Sequence, residues 1–434
     1  KGNSRCKKDL ICSYKDILSL KKDTAVPYKI CSFDIEASSS HGDFPESIKD
    51  YKKVSYDMVY KLDKANKEEY AFLLKEMLLN VFSIKKTLTI DICYPKTNVT
   101  EKMVLDNLKE MMNVTIQEKA SLDEKIQKYF KKEEDEEEKY VKKHTLKEEC
   151  DLITFLSSDT ELSVKIVYFM DLLGRYFPEL EGDQVTFIGS TFINYGEQEP
   201  YLQHCVCVNN CKKITQEHEL DCYTTEKDAL VAWSSLIRKE DPDLIIGYNI
   251  FGFDYKFMYE RASELDCLDE FMDLGRNETF SKELNVSKIV LASGPYDLSL
   301  LSMEGRLQID LYTHMRKEFN LSSYKLDYVA GYLLGDTLKK YENQGDKCRI
   351  WSQNLKGISV GSYIHFEIIN HSGDLYEDGK KFKIIQMEVD GFVIDGQIHC
   401  EEKMSWGMAK DDVSPKEIFE MTKGTDDDRG IIAK

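Results

Sequence analysis

The segment Tyr28-Lys-Ile-Cys-Ser-Phe-Asp-Ile-Glu36 constrains the fold more than any other part of the chain. Its apolar and β-branched residues alternate with polar ones, the pattern of a strand entering a core. A period of two puts Asp34 and Glu36 on one face of that strand. Carboxylates flanking Phe33 and Ile35 are costly in a half-buried strand unless their charge is neutralised, which a divalent cation does. Asp-x-Glu also occurs on ordinary exposed edge strands, so the pair alone leaves both readings open.

The strand hands over to a small-polar loop, Ser38-Ser-Ser40 followed by His41-Gly42-Asp43-Phe44-Pro45. From Leu62 to Phe130 the pattern is mostly helical, as in Glu68 to Leu79, with a strand-like interruption at Leu88 to Cys93. The run Lys131 to Lys139 reads as a solvated helix or a disordered segment. Strand character resumes at Gln184–Ile193 and Tyr201–Val208, read as hairpin partners. A helix over Thr225–Ile237 follows, capped by Thr225 with Asp228 three positions on. The short apolar strand Leu244–Gly247 then leads through Tyr248-Asn-Ile-Phe-Gly-Phe-Asp254 into a helix over Tyr255–Ala262. Strands alternating with helices indicate an α/β layer architecture. Further on, Ser359–Ile369, Lys381–Met387 and Gly391–Asp395 are short strands between Gly and Asp turns, which predicts a small β-rich insert. Helices restart near Ser414-Pro415 and again at Asp427.

The net charge of −19 excludes a globally basic protein that coats nucleic acid by bulk attraction, and leaves room for a local or metal-mediated contact. Twelve cysteines in 434 residues are too dilute for a disulfide scaffold. The Cys205, Cys207, Cys211 cluster lacks a second cluster at zinc-like spacing, so free thiols in a reducing compartment are expected. His41, His365 and His371 show no metal-ligand spacing.

Asp254 is the second candidate acid. It opens a helix directly after a strand, where an isolated Asp is more often a cap. Asn249 suits a turn or a substrate contact, and Phe253 lies where a base or sugar could pack. A third cluster holds Gly305, Arg306, Asp310, Arg316, Lys317 and Ser322-Ser-Tyr-Lys325; its basic residues could touch phosphates or simply be solvated.

Three ordered stretches together carry a resemblance. Ser32-Phe-Asp-Ile-Glu36, Asp241-Pro-Asp-Leu-Ile-Ile-Gly-Tyr-Asn-Ile-Phe-Gly-Phe-Asp254, and Gly305-Arg-Leu-Gln-Ile-Asp310 with Ser323-Tyr-Lys-Leu-Asp-Tyr-Val329 resemble the 3′–5′ proofreading exonuclease domain of delta-like family B DNA polymerases. The continuation Ala37–Pro45 looks like polymerases of large DNA viruses. The resemblance implies a ribonuclease H-like α/β fold, a mixed sheet flanked by helices. It divides the chain into an exonuclease core (1–53 and 166–341), a mostly helical charged insertion (54–165), a β-rich insertion (342–408) and a truncated helical return (409–434).

It also implies site residues: Asp34, Glu36 and Asp254 as catalytic metal ligands, and Asn249, Phe253, Arg306, Tyr324 and Lys325 as DNA contacts. The cofactor implied is Mg²⁺ or Mn²⁺ in a two-ion site, with Asp34 bridging, Glu36 on the nucleophile side and Asp254 on the other. The family's third motif, Tyr-x-x-x-Asp, is expected just after Gly424–Lys434; Tyr324 to Asp327 has the wrong place and spacing to replace it. The 434 residues by themselves are therefore expected to be a weak or inactive nuclease and a piece of something longer. The implied partners are a primer-template or single-stranded 3′ end, the palm, fingers and thumb of the polymerase, and a processivity factor, in the host cytoplasm or nucleus. Two competing readings are a stand-alone ribonuclease H-like nuclease, needing Asp310 as a further carboxylate, and a non-catalytic module that binds replication partners through its insertions.

Overall fold

The computed structural model describes residues 4–6, 10–24, 26–39, 44–86, 88, 90–114, 150–213, 218–277, 282–291, 294–369, 374–409 and 420–433. The expectations for Ser40 to Asp43, the 131–139 run, His371 and the Ser414-Pro415 helix lie outside these residues. The chain divides into two units, 46–183 and 1–45 with 184–434.

The 46–183 unit is helical: α1 (Lys52–Asp63), α2 (Tyr70–Val81), α3 (Glu101–Met112), α4 (Leu152–Leu156) and α5 (Leu162–Tyr176). Val54, Met58, Val59 and Leu62 on α1 and Leu74, Met77, Leu78 and Val81 on α2 recur at helical spacing and line one core. Thr100 caps α3 by accepting from the Met103 N–H at 3.3 Å. The strand expected at Leu88 to Cys93 does not form among the described residues. That segment is instead tied to the end of α2, with Leu88 N–H on the Asn80 side chain (2.9 Å) and Cys93 N–H on the Val81 carbonyl (2.7 Å). The expected 54–165 boundaries fall inside this unit, because α1 and all of α5 contribute to its core.

In the other unit a six-stranded sheet runs β4-β3-β2-β1-β5-β8. Its strands are β1 (Lys29–Ser38), β2 (Gln184–Asn194), β3 (Leu202–Val208), β4 (Glu219–Tyr223), β5 (Leu244–Gly247) and, after the hairpin β6 (Leu284–Leu291) and β7 (Gly294–Leu301), β8 (Leu307–Asp310). β1 and β2 are antiparallel, as are β2 and β3; β3–β4, β1–β5 and β5–β8 are parallel. The sheet is therefore mixed, as the alternation of strands and helices implied. Cys31, Phe33 and Ile35 face a core with Trp233 and Ile237 of α6 (Glu226–Glu240) and Tyr255 and Met258 of α7 (Asp254–Glu264). The capping of α6 is as read: Thr225 Oγ1 accepts from Asp228 N–H at 3.1 Å. Short α8 (Leu268–Phe271) adds Phe271 to this core, and α9 (Leu311–Glu318) follows β8 directly.

The remaining strands form a second, seven-stranded sheet of order β10-β11-β14-β13-β12-β15-β9. These are β9 (Gly335–Thr337), β10 (Lys340–Gln344), β11 (Lys347–Trp351), β12 (Tyr363–Ile368), β13 (Phe382–Glu388), β14 (Gly391–Asp395) and β15 (Met404–Ala409). They enclose their own core around Ile350, Phe366, Phe382, Phe392 and Trp406. The β-rich part thus begins before the expected residue 342, at Gly335. Helix α10 (Leu326–Leu333) rests on β15 through a glycine pair: a Cβ on Gly407 would lie 2.7 Å from the Gly331 Cα. Last comes α11 (Asp426–Ile432), started by a capping box between Thr425 and Asp428. Its Ile432 and Ala433 pack with Phe187, Cys205 and Cys207. Phe187 pairs with Glu36, and Gly189, which pairs with Asp34, pairs with Cys205, so α11 lies on the carboxylate face of the sheet.

Candidate active site

β5 pairs with β1 only at Ile30 to Ser32 and ends at Gly247. Beyond that point the edge of β1 has no ladder partner from β5, and Asp254 supplies one. The Ile35 N–H lies 3.3 Å from Asp254 Oδ1 and 3.1 Å from Asp34 Oδ1, bringing the two acids to one backbone donor. The return from β5 to α7 is tight. A Cβ on Gly247 would sit 2.3 Å from Ile250 Cγ2 and 3.0 Å from the Phe33 carbonyl oxygen, so only glycine fits there. Asn249 adopts φ +65°, which an asparagine tolerates better than most residues.

Asp254 is buried, Asp34 is exposed and Glu36 is half-buried. Burial pushes the Asp254 carboxyl up to about 8, helped by the neighbouring Asp34 carboxylate, to which it is hydrogen-bonded. Two acids so placed share a proton when no cation is present, and a divalent ion is what lets both ionise. Glu36 shares the face of Asp34 and adjoins a β-bulge at Glu36/Ala37, where Thr186 Oγ1 donates to the Glu36 carbonyl at 2.9 Å. No three His, Cys, Asp or Glu side chains converge on a metal position among the described residues. The structure therefore joins Asp34 to Asp254 and leaves Glu36 outside a three-ligand cluster.

Asp310 has a different task from the one the stand-alone nuclease reading required. Its carboxylate accepts from the N–H groups of Asn249 (2.8 Å), Phe251 (3.0 Å) and Tyr312 (2.9 Å). It is the N-cap of α9 and the anchor of the 248–252 turn, and its carboxylate also faces the Tyr296 hydroxyl. An aspartate closing a strand just before a helix was the available signal for this role.

Arg306 is likewise corrected as a DNA contact. Its side chain is 2% exposed, and its guanidinium binds Asp241 (2.8 Å) and the carbonyls of Leu274 (2.9 Å) and Pro242 (2.5 Å). The Tyr324 hydroxyl donates to the Phe319 carbonyl at 2.7 Å, and the Tyr324 carbonyl accepts from the Tyr248 hydroxyl at 2.5 Å, so this residue braces the turn. Lys325 is exposed at the start of α10. Phe253 is half-buried between Phe44 (ring centroids 5.3 Å apart) and Phe257 (5.2 Å).

Sequence reasoning missed Tyr296, on the hairpin strand β7. Its hydroxyl lies 2.6 Å from Asn249 Oδ1, and no sequence motif flagged the hairpin. The cysteine cluster gains Cys222, whose Sγ is 3.6 Å from Cys207 Sγ, and all twelve cysteines are free thiols.

Residues 114–329 match the family model described as DNA polymerase family B, exonuclease domain. The chain is 34% identical to a DNA polymerase of Phaeocystis pouchetii virus over 100% of its own length and 46% of that protein. It is 31% identical to a DNA polymerase of Pyramimonas orientalis virus over 99% of its length and 34% of that protein. Over 37% of the chain it is 35% identical to a DNA polymerase delta catalytic subunit of Oryza sativa subsp. japonica, covering 14% of it. The chain thus spans less than half the length of these relatives.

Proposed function

Because the chain belongs to the family B DNA polymerases and carries their exonuclease domain, we propose that it contributes the 3′–5′ proofreading site of a viral DNA polymerase, removing the terminal nucleotide from an unpaired 3′ end. The observation that carries this reading is the Asp34–Asp254 pair, one exposed and one buried, meeting at the Ile35 N–H. The pair fits a divalent cation on chemical grounds, since the raised Asp254 carboxyl is an acid held next to a like charge. Asp34 and Asp254 would hold Mg²⁺ or Mn²⁺, with Glu36 reaching in from the same strand face. Bound there, the ion would supply positive charge to the leaving 3′ oxygen and lower the pKa of water.

The chain's own residues do the positioning. Asp310 fixes the 248–252 turn by accepting from the N–H groups of Asn249 and Phe251. That turn sets Asn249 and Phe253 beside Asp254, where they would receive the last nucleotides by hydrogen bonding and packing rather than by reading base edges. The partners this reading entails are the 3′ end of a primer, the polymerising domains and a processivity factor, inside the infected cell in cytoplasm or nucleus. Asp310, which holds the turn and starts α9, supports the polymerase reading over a stand-alone nuclease that would need it as a metal ligand.

Calorimetric titration of Mn²⁺ tests the proposal. Binding is expected in the unaltered chain and at least about tenfold weaker after Asp34→Ala, as for loss of a charged ligand worth 1.4 kcal/mol or more. Equal binding by both would return the chain to the non-catalytic reading.

A further inference from the structure

Asn249 is held at both ends. Its backbone N–H is bound by Asp310 at 2.8 Å and its side-chain Oδ1 by the Tyr296 hydroxyl at 2.6 Å. The two anchors come from different elements, the end of β8 and the hairpin strand β7. The approach of Tyr296 depends on Gly252, where a Cβ would lie 2.4 Å from Asn249 Oδ1 and 2.5 Å from the Tyr296 oxygen. The Tyr296 ring is itself braced, with Tyr312 at 5.4 Å between centroids and the Arg316 guanidinium 5.4 Å from its centre. Burial, and after it the Asp310 carboxylate that also faces the hydroxyl, keeps Tyr296 protonated far above its usual range. The hydroxyl therefore keeps its proton at every working pH, with Asn249 Oδ1 2.6 Å away and the Asp310 carboxylate as a second acceptor in reach. Asn249 Nδ2 has no protein partner among the described residues and is not sealed from solvent.

We infer that Tyr296 is a positioning residue for Asn249: its hydroxyl locks the carboxamide so that Nδ2 points a hydrogen-bond donor at an oxygen acceptor of the bound nucleotide strand. The physical reason is a free carboxamide's two-fold ambiguity. An asparagine able to flip presents donor or acceptor at similar cost, whereas a fixed donor on Oδ1 leaves one orientation. A left-handed backbone and a clamped side chain make Asn249 preorganised, so little ordering cost is left to pay when substrate arrives. The hairpin thereby reaches the site through one hydroxyl.

The inference rests on the nuclease reading above, and the experiment separates the two. In the full-length polymerase with Mg²⁺, hydrolysis of a single-stranded oligonucleotide is measured for Tyr296→Phe, Asn249→Ala, the double variant and Asp254→Asn. Tyr296→Phe is expected to raise KM about 5- to 20-fold, the effect of leaving one polar group unpaired, with kcat nearly unchanged. Asn249→Ala should do the same, and the double variant should be no worse than Asn249→Ala alone. An unchanged KM in Tyr296→Phe, or effects that multiply in the double variant, would overturn the inference. Should Tyr296→Phe fail to fold, Gly252→Ala displaces the same contact from its other side and must show the same KM shift; a normal KM there overturns it equally. Asp254→Asn reads the other question: if it retains hydrolysis, the nuclease assignment fails regardless of Tyr296.

Discussion

Asp241 closes α6, Asp254 opens α7 and Asp310 ends β8, and their neighbours give each a different task. Asp254 meets a like charge and is pushed up to about 8; Asp310 meets backbone donors. Asp241 meets Arg276 (2.7 Å) and the buried Arg306 (2.8 Å). Burial alone would raise the Asp241 carboxyl, but the two guanidiniums outweigh it and hold it below the usual carboxylate range. The folded state therefore binds this proton less readily than the unfolded chain. The resulting stability is fully present above the unfolded value of 3.8 and is lost as pH falls through the lower folded value. Asp241→Asn should cost about 1 kcal/mol at pH 7, discounted because the side chain is 43% exposed, and the difference should shrink as pH falls below 3.8 through the lower folded value. Urea unfolding at several pH values measures it. From sequence, Asp254 could be nominated because a strand, a turn and a helix start converge on it. Arg306 could not be excluded as a DNA contact, because nothing local reveals that Asp241, 65 residues away in sequence, claims its guanidinium.

At the scale of elements, legibility followed periodicity. Strands β1, β2, β3 and β5 and helices α6 and α7 lie where alternation or helical spacing put them, because each buries one face against the same core. The hairpin β6–β7 escaped notice: its sequence, Leu284 to Leu301, mixes charged and apolar residues without a clean period, and it forms a two-stranded sheet of its own. Strands β9, β10, β11 and β15 were missed for a related reason, being short pieces of a sheet whose core comes from residues far apart in sequence. The turn joining β5 to α7 is where element geometry becomes site geometry. Gly247→Ala should force the Ile250 side chain out of a fully buried position, costing about 1–3 kcal/mol by overpacking and lowering nuclease activity by displacing Asp254. A melting temperature and a rate equal to those of the unaltered protein would show that the turn has room the structure does not display.

For the molecule as a whole, the 46–183 unit has a core of its own that extends past the expected 54–165 limits, because α1 and α5 each cross one of those limits and contribute to it. The other unit holds every site residue named here and a second sheet with a separate core. Its helix α11 packs through Ile432 and Ala433 on the sheet face that bears Asp34 and Glu36. In the proposed function, Asp34 and Asp254 form one cation-dependent centre acting on a 3′ end. The most direct test is Mg²⁺-dependent shortening of a 5′-labelled single-stranded oligonucleotide by the full-length protein, compared with Asp34→Ala and Asp254→Ala. The unaltered protein should shorten the strand stepwise from the 3′ end, and each variant should do so at least about 100-fold more slowly, because the reacting groups are no longer held in place. Full activity in either variant would contradict it.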